Sequence, residues 1–180
     1  APSPAQRTGS MIHILSIALL PILMIVAAIS DLMSFRIPNW LTLLTAVLFF
    51  PMAWLTGMPL VEFGWHLAAG LILFVAGFAL FSFGLFGGGD AKIMAAAGLW
   101  FGTAQTMPFL VATVLAGGGL AIAVAVWSLI MTVFEIHGPG ENTRLVRVAR
   151  KIRPKLPYGF AFAIGAIVAF PQSWWMTGAA

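Results

Sequence analysis

Long apolar runs alternate with short polar connections along the chain, and this pattern constrains the fold more than any other feature. The runs cover about 12–30, 40–56, 64–86, 91–104, 108–134 and 159–176. A helix needs about 20 apolar residues to cross a bilayer, with a range of about 17–25. Only 8% of the residues are charged, against roughly 25% in soluble domains. We therefore predict an all-α, polytopic membrane protein with six transmembrane helices.

The fourth run, 91–104, is short for a transmembrane span. At about 1.5 Å per residue, a helix of this length covers only about 21 Å. We therefore expect it to lie in protein-lined or thinned membrane. We assign 11–180 to a single transmembrane domain. The preceding segment, 1–10, is polar and rich in Pro and Ser, and we predict a disordered leader or a remnant of expression.

Basic residues gather on one side of the predicted topology. With six spans, the loops at 31–39, 87–92 and 135–158 share a side, and together they hold every Lys and Arg except Arg7. The positive-inside rule places these loops in the cytoplasm and both termini outside. In the third loop, apolar residues recur at helical spacing between basic ones. We predict that 142–155 forms a cytoplasmic basic amphipathic helix that binds anionic lipid, and we expect no nucleic-acid partner.

Two aspartates lie at the ends of apolar runs on that same predicted side. Asp31 closes the first run, and Asp90 follows Gly87, Gly88 and Gly89. An ionisable side chain at a membrane span is costly and therefore indicates a function. Two carboxylates in a poorly solvated site cannot both ionise easily, so one keeps a proton while the other can activate a water as general base. This chemistry can hydrolyse a peptide, and the glycines allow the backbone to approach a substrate closely.

Other interpretations of the two aspartates are also open. Asp90 could be the N-cap of the fourth helix, and Asp31 could pair with Arg36. In functional terms, the pair could hold ions in a proton- or cation-coupled transport subunit. A structural subunit of a pilus assembly machine is a third alternative, although it leaves the aspartate pair unexplained.

We expect neither a metal nor a cofactor. The chain has no cysteine, which excludes disulfides and thiolate zinc sites. His13, His66 and His137 show no metal-ligand spacing, and we expect them at the membrane interface. Glu62 is expected in a solvated outer loop. Tryptophans near the ends of the runs predict an aromatic belt: Trp40, Trp54, Trp65, Trp100, Trp174 and Trp175.

Three motifs together resemble the type IV prepilin peptidases, a family of intramembrane aspartyl proteases. GGGDAK at 87–92 fits the G-x-G-D signature, and DLMSFRIPN at 31–39 is similar to the family's D…R-I-P-N segment. KLPYGFA at 155–161 also resembles the family. The resemblance covers about 12–175. It implies an enzyme of the bacterial inner membrane that removes the short basic leader of prepilins at the cytoplasmic face.

The resemblance also implies roles for individual residues. Asp31 and Asp90 would form the catalytic pair. Substrate contacts are expected from the neighbouring residues Gly87, Gly88, Gly89, Lys92, Arg36, Pro38 and Asn39. For Arg36 and Lys92 the alternatives are topology anchoring, electrostatic tuning of an aspartate, and contact with an acidic substrate residue. Pro38 is expected at the first position of the second helix.

The absence of cysteine bears on which members of the family the chain resembles. Larger members carry a cytoplasmic insert with a Cys-rich zinc site and methylate the new N-terminus. This chain has no cysteine and only a short 31–39 loop. It is therefore more similar to the short members associated with Flp/tight-adherence pili, which implies no N-methylation. Archaeal preflagellin peptidases are a less similar alternative.

Overall fold

The computed structural model describes residues 4–137 and 158–178, with side chains over 9–131 and 158–178, and all regular elements within these ranges are helical. The α-helices are α1 (Pro4–Ser34), α2 (Asn39–Leu55), α3 (Leu60–Ser82), α4 (Gly88–His137), α5 (Tyr158–Ala169) and α6 (Trp174–Thr177). A 3₁₀ turn, Phe170–Gln172, joins the last two helices. The prediction of an all-α fold is confirmed.

Four helical stretches are long and apolar enough to cross a membrane: Gly9–Ser34, Leu60–Ser82, Gly88–Met131 and Tyr158–Thr177. Helix α2 is equally apolar but only 17 residues long. Large apolar side chains are exposed along these helices, as expected where lipid rather than water is the solvent. The membrane character is thus confirmed, whereas the count of six spans stays a prediction.

Helix α4 contains both the fourth and the fifth predicted span, joined at a sharp break. Gly102 has φ 61° and ψ −178°, which no helix accommodates. The rings of Phe101 and Phe109 stack with centroids 4.9 Å apart. A continuous helix would carry two residues eight positions apart about 12 Å along its axis. The helix axis therefore turns at Gly102, and the short fourth run ends there.

Side chains from two other helices stabilise this break. A break in the helical ladder leaves carbonyls of the preceding turn without their usual partners. The carbonyl of Leu99 accepts a hydrogen bond from His66 Nδ1 at 2.7 Å, and that of Trp100 accepts one from Trp175 Nε1 at 2.6 Å. A Cβ at Gly102 would lie 2.9 Å from the His66 ring. The glycine thus provides both the backbone angle and the room for the imidazole.

This arrangement corrects several predictions made from residue type. His66 is fully buried rather than interfacial, and Trp100 and Trp175 are fully buried rather than part of a belt. Their polar atoms are needed at the break, which explains their place in the core. Glu62 lies in the first turn of α3 rather than in a loop, with Oε1 3.8 Å from His66 Nε2.

Two further predictions concern the first ten residues and the amphipathic helix. Residues 4–10 belong to α1 in the structure, and the assignment of 1–10 to a leader or a remnant of expression stays a prediction. The predicted amphipathic helix, 142–155, lies outside the described residues.

Close packing of small residues places the first half of α4 against α3. A Cβ at Gly77 would lie 3.1 Å from the Ala91 carbonyl oxygen, and one at Gly98 would lie 3.0 Å from the Ala69 carbonyl oxygen. Such backbone approach is typical of helix pairs in membranes. Since Ala91 directly follows Asp90, this packing fixes the position of that carboxylate relative to α3.

Candidate active site

One cavity of about 620 Å³ brings the predicted site residues together. Its walls come from the end of α1, the loop to α2, the turn before α4 and the start of α5. The lining residues are Asp31, Phe35, Arg36, Ile37, Pro38, Asn39, Gly87, Gly88, Gly89, Asp90 and Tyr158. Of the nine residues proposed from the sequence, Lys92 alone is missing from this set. Both aspartates thus face a common space, although 59 positions separate them in the chain.

Asp31 is held against the start of α5. Its side chain is 5% exposed, and Oδ2 accepts a hydrogen bond from the backbone N–H of Gly159 at 2.7 Å. Gly159 is the second residue of α5, where backbone N–H groups have no partner within the helix. A Cβ at position 159 would lie 2.8 Å from Asp31 Cβ. Only glycine therefore permits this approach without a shift of the carboxylate.

The segment after Asp31 turns sharply toward the aspartate of α4. Phe35, the first residue after α1, has φ 51°, and its N–H donates to the Asp31 carbonyl at 2.7 Å. The Arg36 carbonyl accepts hydrogen bonds from Ser30 Oγ at 3.1 Å and Ser34 Oγ at 3.2 Å. These bonds fix the chain as it leaves the helix and lead it into the Arg-Ile-Pro-Asn segment.

The Arg-Ile-Pro-Asn segment packs directly on the glycine turn before Asp90. A Cβ at Gly89 would lie 3.2 Å from Ile37 Cβ and 3.3 Å from the Ile37 carbonyl oxygen. Pro38 follows as the N-cap of α2, with an extended ψ of 139°. We expected Pro38 at the first position of the second helix. It is instead the N-cap, because α2 begins at Asn39. The glycine requirement here comes from one backbone segment crossing another.

Asp90 is the third residue of α4 and faces back toward the helix start. Its Oδ2 accepts a hydrogen bond from the N–H of Gly87 at 3.2 Å. A side chain at this position that bonds the N-cap N–H forms half of a capping box. The cap interpretation is therefore correct in part, although Asp90 is not itself the N-cap. The same carboxylate lines the cavity, so the two interpretations are compatible.

Both carboxylates thus lie at helix N-termini. The carboxylate of Asp31 lies at the start of α5, and that of Asp90 lies at the start of α4. The partial positive charge of a helix N-terminus favours nearby negative charge. Within 9–131 and 158–178, no ion pair joins Asp31 to Arg36, so the structure does not contain the pairing considered from the sequence.

Lys92 lies beside the cavity and contacts Asn39, which lines it. Its Nζ donates a hydrogen bond to Asn39 Oδ1 at 2.9 Å, across 53 positions. Through this contact the start of α2 is tied to the first turns of α4.

Four lining or contacting residues were not singled out from the sequence: Phe35, Ile37, Tyr158 and Gly159. Tyr158 and Gly159 do belong to the KLPYGFA motif, but the motif indicated only the family resemblance and gave no role to either residue. Tyr158 packs against Phe86 with ring centroids 5.5 Å apart. Over the described side chains, no three His, Asp or Glu residues form a group that could hold a metal ion.

Comparison with known proteins gives one match. The model of the type IV leader peptidase family matches residues 18–122, a segment that includes Asp31, Asp90 and the chain between them. No curated protein and no solved structure gives a significant match. Tyr158, which lines the cavity, and Gly159, which donates a hydrogen bond to Asp31, lie beyond the matched segment.

Proposed function

Since the chain belongs to the type IV leader peptidase family, we propose that it is an aspartyl endopeptidase that removes the leader of Flp-type prepilins. Membership of this family supports the general function of a prepilin leader peptidase. The observation that carries the aspartyl mechanism is that Asp31 and Asp90 line one cavity. These are two of the five acidic residues in the chain.

In the proposed reaction, the two carboxylates hold a water against the scissile peptide bond. The ionised carboxylate takes a proton from the water, and the water oxygen attacks the carbonyl carbon. The protonated carboxyl group donates a hydrogen bond to the carbonyl oxygen as negative charge develops there. The C–N bond then breaks, a proton passes to the leaving nitrogen, and the products are a carboxylate and a new amino terminus.

The backbone contacts of the two aspartates support this chemistry. Oδ2 of Asp31 is bonded by Gly159 and Oδ2 of Asp90 by Gly87. Each bond fixes its carboxylate and leaves Oδ1 for water and substrate. Positioned groups of this kind lower the cost of orienting the reactants.

We assign the remaining lining residues to the substrate backbone and its polar groups. Arg36, Pro38 and Asn39 form one wall of the cavity, and Gly87, Gly88 and Gly89 form another. A peptide in extended conformation can lie across these two adjoining walls, because the glycines leave no side chain in its way.

The proposed site faces the cytoplasm from the inner membrane. The support is the basic character of the loops that hold or adjoin both aspartates. Anionic lipid bound by 142–155 would stabilise this orientation, and both termini would lie outside.

The proposal is tested by cleavage of a Flp-type prepilin by the protein reconstituted in liposomes. Asp31→Asn and Asp90→Asn should each lower the cleavage rate by about 10²–10⁴-fold, the range for a general acid or base. Glu62→Gln is the matched control, since it removes a carboxylate outside the cavity and should cleave at close to the wild-type rate. Normal cleavage by either aspartate variant would refute the mechanism.

A further inference from the structure

The two aspartates are held by glycine N–H groups in the same way. Oδ2 of Asp31 accepts a hydrogen bond from Gly159, and Oδ2 of Asp90 accepts one from Gly87. A Cβ at Gly159 would lie 3.0 Å from the Asp31 oxygen, and one at Gly87 would lie 2.8 Å from the Asp90 oxygen. Each carboxylate therefore follows the position of its glycine.

An aromatic residue precedes each of these glycines, and the two aromatic rings pack on each other. Tyr158 precedes Gly159, and Phe86 precedes Gly87. The ring centroids of Tyr158 and Phe86 are 5.5 Å apart, within the range of about 4.5–7 Å for favourable aromatic pairs. Because a peptide unit is planar, the N–H of each glycine moves with the backbone of the aromatic residue before it. The ring contact therefore joins the two hydrogen-bond donors.

Phe86 is fixed from two directions. Its backbone N–H donates to the Leu80 carbonyl at 3.3 Å, which ties it to the end of α3. Its ring also contacts that of Phe162, one turn after Tyr158 in α5, with centroids 6.2 Å apart. Phe162 is buried in the core. Phe86 thus holds the turn before α4 against α5.

Hydrophobic burial alone does not explain why Phe86 packs inward, because lipid tails are themselves apolar. Phe83, at the end of α3, is 79% exposed. Phe86 comes three positions later, is partly buried, and contacts Tyr158, which also lines the cavity. The two phenylalanines are alike in type and differ in their contact with the site.

We propose that Phe86 and Tyr158 form a positioning pair that sets the separation of the two catalytic carboxylates. This inference rests on the proposed function, because it takes the two aspartates as the reacting groups. A water held by both carboxylates must lie within about 2.6–3.2 Å of each, so their separation controls the rate. Neither ring exchanges a proton in the proposed reaction, and the pair acts through the two glycine N–H groups.

Phe86→Leu tests the pair, since it removes the ring contact and changes no residue that lines the cavity. In proteoliposomes it should lower kcat for prepilin cleavage by about tenfold or more, because misplacement by about 1 Å can cost about 10²-fold. KM should stay close to wild type. Phe86→Tyr restores an aromatic ring and should recover most of the rate. Phe83→Leu is the matched control and should cleave normally.

The pH–rate profile separates positioning from a loss of folded protein. A smaller folded fraction lowers the rate without changing the ionisation of the protein that remains folded. The proposed reaction needs one ionised and one protonated carboxylate, and the pH range of that state widens as the two repel more strongly. Phe86→Leu should let the turn move away from α5, which weakens the repulsion and narrows the profile. The other ionisable residues that line the cavity, Arg36 and Tyr158, are unchanged in this variant. A lowered kcat with a profile of unchanged width would overturn the proposal.

The two rings should also act as one unit. Phe86→Leu should reduce kcat less in a Tyr158→Leu background than in the wild-type protein, because the effects of residues in contact are not independent. Equal reductions in both backgrounds would overturn the pair.

A distance measurement tests the pair without cleavage. The chain has no cysteine, so nitroxide labels can be attached at Met33→Cys, at the end of α1, and at Leu85→Cys, in the turn before α4. Both positions are exposed. With Phe86→Leu added, the distance between the labels, measured by EPR, should become longer or more broadly distributed. With Phe83→Leu added it should not change, and the same distribution for both variants would overturn the proposal.

The outcomes separate this inference from the proposed function. If the wild-type protein cleaves and both Asp→Asn variants do not, the proposed function holds. Equal kcat for Phe86→Leu and Phe83→Leu would then overturn the positioning pair alone. If the wild-type protein does not cleave, the proposed function is refuted, and the EPR distances decide whether the two rings fix the turn.

Discussion

The Asp31 carboxylate accepts a hydrogen bond from the backbone N–H of Gly159, which lies 128 positions later in the chain, at 2.7 Å. This bond joins the last turn of α1 to the first turn of α5. The geometry of Asp31 is therefore set by a helix outside the segment that matches the family model. An account of the site from residues 18–122 alone would miss the group that orients one of the two carboxylates.

Gly159→Ala should lower prepilin cleavage by about 10²-fold, the loss expected when a reacting group is displaced by about 1 Å. The new Cβ would lie 2.8 Å from Asp31 Cβ and 3.2 Å from the Ala27 carbonyl oxygen, so Asp31 must move. The measurement is the initial cleavage rate in proteoliposomes at equal protein content. Gly64→Ala is the control, since a Cβ there meets nothing within 4 Å. Equal rates for the two variants would contradict the close approach at Gly159.

Gly89→Ala should also reduce cleavage, by a different route. Its Cβ would lie 3.3 Å from the Ile37 carbonyl oxygen, and this backbone can give way only if the segment between α1 and α2 moves. We expect a smaller loss than for Gly159→Ala, because no atom of a catalytic side chain is in contact. Gly118→Ala, also in α4 but with open space around it, should cleave normally. A rate for Gly89→Ala equal to that of Gly118→Ala would show that the segment yields freely.

Trp175→Phe should destabilise the fold without acting on the site. The variant keeps the aromatic packing but removes the donor to the Trp100 carbonyl, and a buried group without a partner costs about 1–3 kcal/mol. Thermal unfolding in detergent, followed by tryptophan fluorescence, should show a lower Tm. Trp54→Phe is the control because Trp54 is 87% exposed, and its Tm should match the wild type. No difference in Tm between these variants would mean that the carbonyl finds another donor.

Lys92 and Asn39 should act as a unit in substrate binding. Lys92→Met and Asn39→Ala each remove one side of a 2.9 Å hydrogen bond, so their effects on kcat/KM should not add. We expect a coupling energy of about 0.5 kcal/mol or more, as is usual for residues in contact. The cycle of Lys92→Met with Glu62→Gln should be additive, since these side chains do not touch. Additivity in both cycles would mean that the Lys92–Asn39 contact is lost when substrate binds.

Much of the fold follows from hydropathy, because a chain with so few charges can satisfy its backbone in lipid only as helices. The break at Gly102 does not follow, although the short fourth run pointed to something irregular there. Its carbonyls are satisfied by His66 and Trp175, which are distant in the chain and leave no local pattern. Residue type alone assigned both side chains to the membrane interface, where polar aromatic groups are common.

The candidate site could be predicted in outline. The scarcity of acids and the distribution of basic residues pointed to Asp31 and Asp90 together, and the structure places both in one cavity. The contact of Gly159 with Asp31 could not be predicted, because it depends on how α1 and α5 pack. The place of Lys92 beside the cavity likewise depends on the rotation of α4 about its axis, which hydropathy does not determine.

The bond between Trp175 and Trp100 spans 75 positions, and this has a consequence for biosynthesis. At about 5–20 residues per second, a ribosome needs about 4–15 s to make that stretch. During this interval the nascent α4 has a carbonyl at its break and no Trp175 to donate to it. The hydrogen bond to the Trp100 carbonyl can therefore form only after α6 has been synthesised.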